Sequence, residues 1–244
     1  MKTVFVTCSP KRSFSASAHL AAMQRFFTGR TAVTEHLRTK KDHERILNTL
    51  SDADAVVFSM PLYVDGVPSH VLSFLQVFEQ YAKEHSLKCT VYAMCNNGYI
   101  EGRQGAPLLS TMECFAARAG LPFGGGLGIG GGIMLNVLKF VFLAQIAMFL
   151  TDALMTGLLE GLWFPPDLWW SLLGSLLPIF IFYAGVVFYM VWMGFAIRAL
   201  KPFGKRYTRL LLPNFLFVLI ANIFLLLISL FQGGLFRGLL AKKV

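Results

Sequence analysis

Over residues 1–132, short apolar runs alternate with amphipathic stretches. The runs "KTVFVTC", "AVTEHL", "DAVVFSM" and "KCTVYAMC" are short and rich in β-branched or aromatic residues, which predicts strands. A glycine-rich run, "FGGGLGI", predicts a last strand. Between them, Ser15 to Phe27, Asp42 to Leu50, Ser69 to Ala82 and Pro107 to Ala119 carry apolar residues at helical spacing, and Gly120 follows the last as a C-cap. Strands alternating with helices predict a doubly wound α/β fold with a five-stranded parallel sheet.

The pattern changes after Gly132. Leu168 to Ile197 and Leu210 to Phe236 contain no charged residue. Each exceeds the roughly 20 apolar residues that a membrane span needs. Ile133 to Leu159 is apolar but interrupted by Lys139, Gln145 and Asp152. It reads either as the helix that closes the α/β fold or as a first span. The expected division is therefore residues 1–132 as a soluble domain and 133–244 as an all-α membrane domain. That second domain has two or three transmembrane helices, near 134–159, 168–197 and 210–236.

Charge sharpens this division. The chain of 244 residues is 55% hydrophobic with a net charge of +9. Its charged residues thin out beyond Gly132. The segment "RALKPFGKRYTR" at 198–209 holds five cations and no acid, the signature of a loop kept in the cytoplasm, whereas 160–167 has only Glu160 and Asp167. Three spans satisfy both segments, with the N-terminal domain in the cytoplasm at the cell membrane. The excess of cations beside apolar helices argues for a lipid membrane as partner and against nucleic acid. The start, "MKTVFVTCSP", has too short an apolar run for a signal peptide. Cys8, Cys89, Cys95 and Cys114 form no C-x-x-C pair and are expected as reduced thiols. The five histidines share no metal-ligand spacing, so no metal site is expected.

Three loops follow predicted strands and are richer in polar, Gly or Pro residues than a connector needs: Ser9–Ser17, Pro61–Pro68 and Asn96–Gln104. In open α/β sheets ligands bind beyond the carboxyl ends of the strands, where strand order reverses. The first loop stands before a helix, whose N-terminus offers unpaired N–H groups. Ser9, Ser13, Ser15 and Ser17 add hydroxyls, and Lys11 and Arg12 add charge, which suits an anion. Serines in this place also serve as plain N-caps, and the residues alone leave both readings open. In the second loop Tyr63 offers a flat ring and Asp65-Gly66 a turn. In the third, Asn96, Asn97 and Gly98 can set backbone groups against a polar ring edge, and Tyr99 can stack.

The stretches "SPKRSFSAS", "MPLYVDGVPS", "NNGYIEGRQ" and "AGLPFGGGLGIGGG" together resemble the flavodoxin-like NAD(P)H-dependent FMN reductases, over about residues 1–132 and with all four motifs in order. The resemblance implies FMN as cofactor and NAD(P)H as co-substrate. Ser9, Lys11, Arg12, Ser15 and Ser17 would hold the FMN phosphate. Pro61, Leu62, Tyr63 and Val64 would flank one side of the isoalloxazine ring, and Asn96, Asn97, Gly98 and Tyr99 the other. It implies hydride transfer to flavin and onward to an acceptor such as a quinone or a membrane protein, and it admits a homodimer. The chain departs from the family pattern at Cys8, where a glycine is usual, and at Ile133, where an acid is common. The cysteine cluster of the iron–sulfur branch is missing. No residue specifically marks nicotinamide binding, which keeps two alternatives open: an electron-transfer module without its own NAD(P)H site, and a domain that only binds a partner.

Overall fold

In the computed structural model, residues 1–11, 15–29 and 32–231 are described. The strands are β1 (Thr3–Thr7), β2 (Ala32–His36), β3 (Ala55–Pro61), β4 (Thr90–Asn96), β5 (Phe123–Ile129) and β6 (Gly204–Tyr207). They form one parallel sheet in the order β2-β1-β3-β4-β5-β6. The first five follow the flavodoxin-like order 2-1-3-4-5, with the reversal between β1 and β3.

The sheet has six strands, not the five expected. The sixth reads Gly-Lys-Arg-Tyr, and so short and polar a run gives no strand signal. Tertiary pairing makes it a strand: Gly125 to Gly128 of β5 pair with Gly204 to Tyr207. The amide groups of Phe203 and Thr208 bond the carbonyls of Gly124 and Gly128 on either side. The glycines of β5 permit this approach. Gly125 has φ +122, and a Cβ there would meet the backbone of Gly204.

Helices cover both faces. α2 (His43–Leu50), α3 (Ser69–Glu84) and α4 (Ala106–Ala119) pack on one, around Val4, Val6, Val56, Phe58, Phe74 and Phe78. Gly120 ends α4 in the left-handed conformation, as expected. α1 (Ala16–Thr28) packs on the other face. Beside it lies the second part of α6 (Pro166–Arg198), a helix bent by 59° between Pro166–Ile181 and Tyr183–Arg198. Val186, Met190, Met193 and Ile197 of α6 are fully buried there with Phe5, Leu20, Tyr92, Met94 and Leu127.

This arrangement revises the division at Gly132. The contacts gather Met1–Leu210 into one compact unit and Leu211–Val244 into a second. The closing helix of the sheet is Tyr183–Arg198, not 133–159: it packs beside α1, against β5, and accepts from the Tyr92 hydroxyl of β4 at the Ala196 carbonyl. α5 (Gly132–Glu160) instead leaves the sheet and, with Pro166–Ile181, forms an apolar excursion between β5 and that closing helix. The basic segment is no free loop either. Arg198 bonds the carbonyls of Phe27 and Thr28, Lys205 pairs with Glu113, Arg206 lies over the Trp192 ring and Arg209 pairs with Glu101.

Val141–Glu160 is long and apolar enough to cross a membrane, and only 11% of it is buried. The two parts of α6 pass that test only as a bent pair. In the second unit, α7 (Asn214–Phe231) is an uncharged apolar helix. The rest of the expected span to residue 236 lies outside the described residues.

Candidate functional site

The three polar loops leave the carboxyl ends of β1, β3 and β4, neighbouring strands at the point of reversal. The first starts from a fixed platform. The Cys8 amide bonds the Ser59 carbonyl at 2.8 Å, and a ring nitrogen of His70 meets the Cys8 carbonyl at 3.0 Å. The Ser9 hydroxyl accepts from the Lys11 amide at 3.3 Å. Ser15 is the N-cap of α1, its hydroxyl accepting from the Ala18 amide at 3.2 Å. Among the described residues the amides of Ala16 and Ser17 have no partner, as expected in a first helical turn. Lys11 is exposed at the rim. Arg12 and Ser13 lie outside the described residues.

Ser17 is placed differently from the other serines. It is buried, and its hydroxyl donates to Oδ1 of Asn96 at 2.6 Å, while its carbonyl accepts from Ser59 at 2.8 Å. These bonds tie the first loop to β3 and to the end of β4. Asn97 is also turned inward: its Oδ1 accepts from the Tyr99 amide at 3.0 Å and its Nδ2 donates to the Glu101 carbonyl at 3.1 Å. Both asparagines therefore shape the third loop from beneath, and Gly98 and Tyr99 form its exposed crest.

In the second loop Pro61 and Leu62 are half-buried, and the Leu62 amide bonds the Asn96 carbonyl at 2.9 Å, joining this loop to the third. Tyr63 and Gly66 pair across a tight turn whose central residues, Val64 and Asp65, both have positive φ, 46° and 57°. A β-branched residue there is strained. The turn lifts Val64 wholly into solvent and leaves Tyr63 exposed.

The start of α5 is part of this edge. The amides of Gly131 and Gly132 bond the carbonyls of Tyr99 and Asn97 at 2.6 and 2.7 Å. Just below, Gly102 and Gly128 approach so closely that a Cβ on either would meet the other's backbone.

Ser59 and His70 support the site and were not singled out in the sequence. A buried serine in a strand and a histidine on a helix carry no local signal; only the topology brings them under the first loop. Burial pushes the Cys8 thiol up, so it stays protonated and is no nucleophile. A separate groove of about 710 Å³ lies between α1 and the edge strand β2, lined by Thr7, Arg25, Thr34 and His36 among others. Burial, helped by Arg38, lowers the pKa of His36, and its Nδ1 meets the Thr7 hydroxyl at 2.6 Å. Among the described residues no cluster of His, Cys, Asp and Glu could hold a metal ion.

No protein-family model and no curated protein matches the chain. Among solved structures it is similar to the Trp repressor binding protein from Bacillus subtilis, with 20% identity over 52% of this chain and 84% of that one, at TM-score 0.45. A WrbA-like flavodoxin protein from Agrobacterium tumefaciens shows 17% identity over 50% and 74%, at TM-score 0.43. An NAD(P)H:quinone oxidoreductase from Methanothermobacter marburgensis shows 14% over 57% and 92%, at TM-score 0.44. These likenesses cover about half of the chain.

Proposed function

We propose that this chain is an FMN-dependent oxidoreductase held at a membrane, which takes electrons from NAD(P)H and passes them to a membrane acceptor, a quinone or a protein. One observation carries the reading: three polar loops stand side by side at the carboxyl ends of β1, β3 and β4, at the reversal of a flavodoxin-like sheet.

The residues fit the cofactor. The amides of Ala16 and Ser17, which have no partner among the described residues, the hydroxyl protons of Ser9 and Ser15, and the Lys11 ammonium form a donor set suited to a phosphate. Tyr63 and Tyr99, exposed on neighbouring loops, supply the rings that flank an isoalloxazine. Ser17, Asn96 and Asn97 hold these loops in register from below. When bound, FMN supplies hydride acceptance and electron transfer. The chain's own residues would bind it, and the buried Cys8 thiol at the base of the first loop stays protonated. α5 and Pro166–Ile181 anchor the sheet unit, which faces the cytoplasm.

The test is the visible spectrum of the full chain purified in mild detergent, with and without added FMN, followed by anaerobic titration with NADH and NADPH. Bound flavin that bleaches with either nucleotide is the expected result. Flavin that binds but does not bleach assigns an electron carrier, and a chain that takes up no FMN overturns the flavin site.

A further inference from the structure

The two helix layers of the sheet unit differ in kind. α2, α3 and α4 present Glu44, Glu79, Glu84 and Glu113 among their charges, and their large exposed apolar side chains are Leu72 and Val77, each less than half exposed. The layer of α1 and Tyr183–Arg198 has no acidic residue. It shows Phe188 and Phe195, both 63% exposed, Trp192, 41% exposed, and on α1 Phe26, 81% exposed. Phe188, Trp192 and Phe195 recur at i, i+4 and i+7, a single stripe on the outer side of a helix whose inner side is in the core. The guanidinium groups of Arg198 and Arg206 lie over the rings of Phe195 and Trp192, at 5.9 and 4.9 Å. Lys201 adds an exposed cation beside β6, and Arg25 adds one on the β2 side of α1, where it bonds the Thr34 hydroxyl.

A soluble α/β unit seldom leaves such a stripe uncovered. Aromatic rings with cations above them suit the interfacial layer of a bilayer, where the rings sit at headgroup level and the cations meet anionic lipid. The stripe lies on the same helix as Pro166–Ile181, directly after the 59° bend. If Pro166–Ile181 stands along the bilayer normal, the bend lays Tyr183–Arg198 over towards the bilayer plane.

We infer that the outer face of α1 and Tyr183–Arg198 rests on an anionic bilayer surface, so that the sheet unit lies on this side with its α2–α4 layer turned to the cytoplasm. The inference rests on the membrane anchor of the proposed function but not on its flavin. The expected occupant is lipid rather than a second copy, because the layer repeats only cations and lacks the carboxylates that a self-complementary contact would pair with them.

Lipid quenching of thiol-attached dyes in the reconstituted full chain reads this out. Cys8, Cys89 and Cys95 are buried and Cys114 is exposed on α4, so the native chain carries its own far-side probe. Near-side probes are Phe195→Cys and Phe26→Cys, each with Cys114→Ser. The vesicles contain phosphatidylcholine, phosphatidylglycerol and a lipid with a nitroxide headgroup. The two layers lie on opposite sides of the sheet, on the order of 20 Å apart, so quenching at both near-side positions should exceed that at Cys114 several-fold. Equal quenching on both sides overturns the inference. So does energy transfer between two differently labelled copies at position 195 without lipid quenching, which would show that a second copy covers the stripe. A chain that does not float with vesicles overturns both this orientation and the anchor, whereas a chain that floats and shows the asymmetry without flavin leaves the orientation standing alone.

Discussion

Ser17, one residue into α1, donates its hydroxyl proton to Asn96, the last residue of β4, across 2.6 Å in a buried setting. Two loops that are far apart in sequence are locked together by this bond, and each is locked to the strands beneath. Ser17→Ala would leave the Asn96 Oδ1 buried without its donor, at a cost of about 1–3 kcal/mol. The expected result is a lower urea midpoint with an unchanged slope. Binding of FMN and of riboflavin should weaken by the same factor. A loss confined to FMN would place Ser17 at the phosphate instead.

Ser9 and Ser15 should behave in the opposite way. Their hydroxyls accept from nearby amides and keep a proton to donate. A hydrogen bond to a charged phosphate is worth roughly 1.5–3 kcal/mol. Ser9→Ala with Ser15→Ala should weaken FMN binding by about tenfold or more and leave riboflavin, which has no phosphate, little affected. Equal losses would reduce Ser15 to a helix cap.

The thiols give a pH-dependent readout. From an ordinary 9.0, burial pushes Cys89 up to about 11 and Cys95 up to about 12, and it pushes Cys8 up as well. Tyr92 rises from 10.0 to about 12 for the same reason. Groups whose folded pKa is raised keep a proton that the unfolded chain gives up. Their contribution to stability is complete below about pH 9 and is lost as pH climbs towards 11 and 12. Chemical denaturation should therefore show a falling midpoint across that window. Near neutral pH an aromatic disulfide reagent should titrate Cys114 alone in the native chain and all four thiols in denaturant.

Arg198 joins the closing helix to the end of α1 by capping the carbonyls of Phe27 and Thr28. A cation at a helix C-terminus also answers the helix dipole. Arg198→Ala should lower stability by about 1–2 kcal/mol. Arg198→Lys should rescue only part of it, since one ammonium cannot reproduce the planar fork. Full rescue by lysine would mean that charge alone matters.

Topology can be read with an impermeant thiol reagent in intact cells. In a Cys114→Ser background, a cysteine at Leu162, in the turn between α5 and α6, should react from outside. One at Lys201, next to β6, should be shielded until the cells are opened. The reverse pattern would invert the proposed orientation, and shielding at both sites would argue against a crossing by α5.

The first five strands and four helices were legible because each has its own periodicity and end signals, such as Gly120 closing α4. β6 was not, because Gly204–Tyr207 is made a strand by its neighbour and not by its composition. The two roles of α6 were hidden for a different reason. A helix with Val186, Met190 and Met193 inside and Phe188, Trp192 and Phe195 outside is apolar all round, so its sequence looks like one long span. In the loops, the exposed crest residues Tyr63, Gly98 and Tyr99 were singled out from loop chemistry and Val64 only through the family resemblance. The inward turn of Ser17, Asn96 and Asn97 depends on which side of each loop the strands pass beneath, and that is a property of the whole sheet.

The apolar excursion between β5 and Tyr183–Arg198 also sets an order of events during synthesis. When the ribosome has delivered the first five strands, Phe5, Tyr92, Met94 and Leu127 have α1 beside them but still lack the rest of their cover. α5 and Pro166–Ile181 emerge before the helix that provides it. Under the proposed anchoring, targeting to the membrane would begin on a half-closed sheet, and the return of Pro166–Ile181 would bring the missing layer home. If α5 and Pro166–Ile181 stalled in water they would hold the closing helix away from the sheet, so on the proposed anchoring a failure of insertion would surface as a failure of the sheet unit to fold.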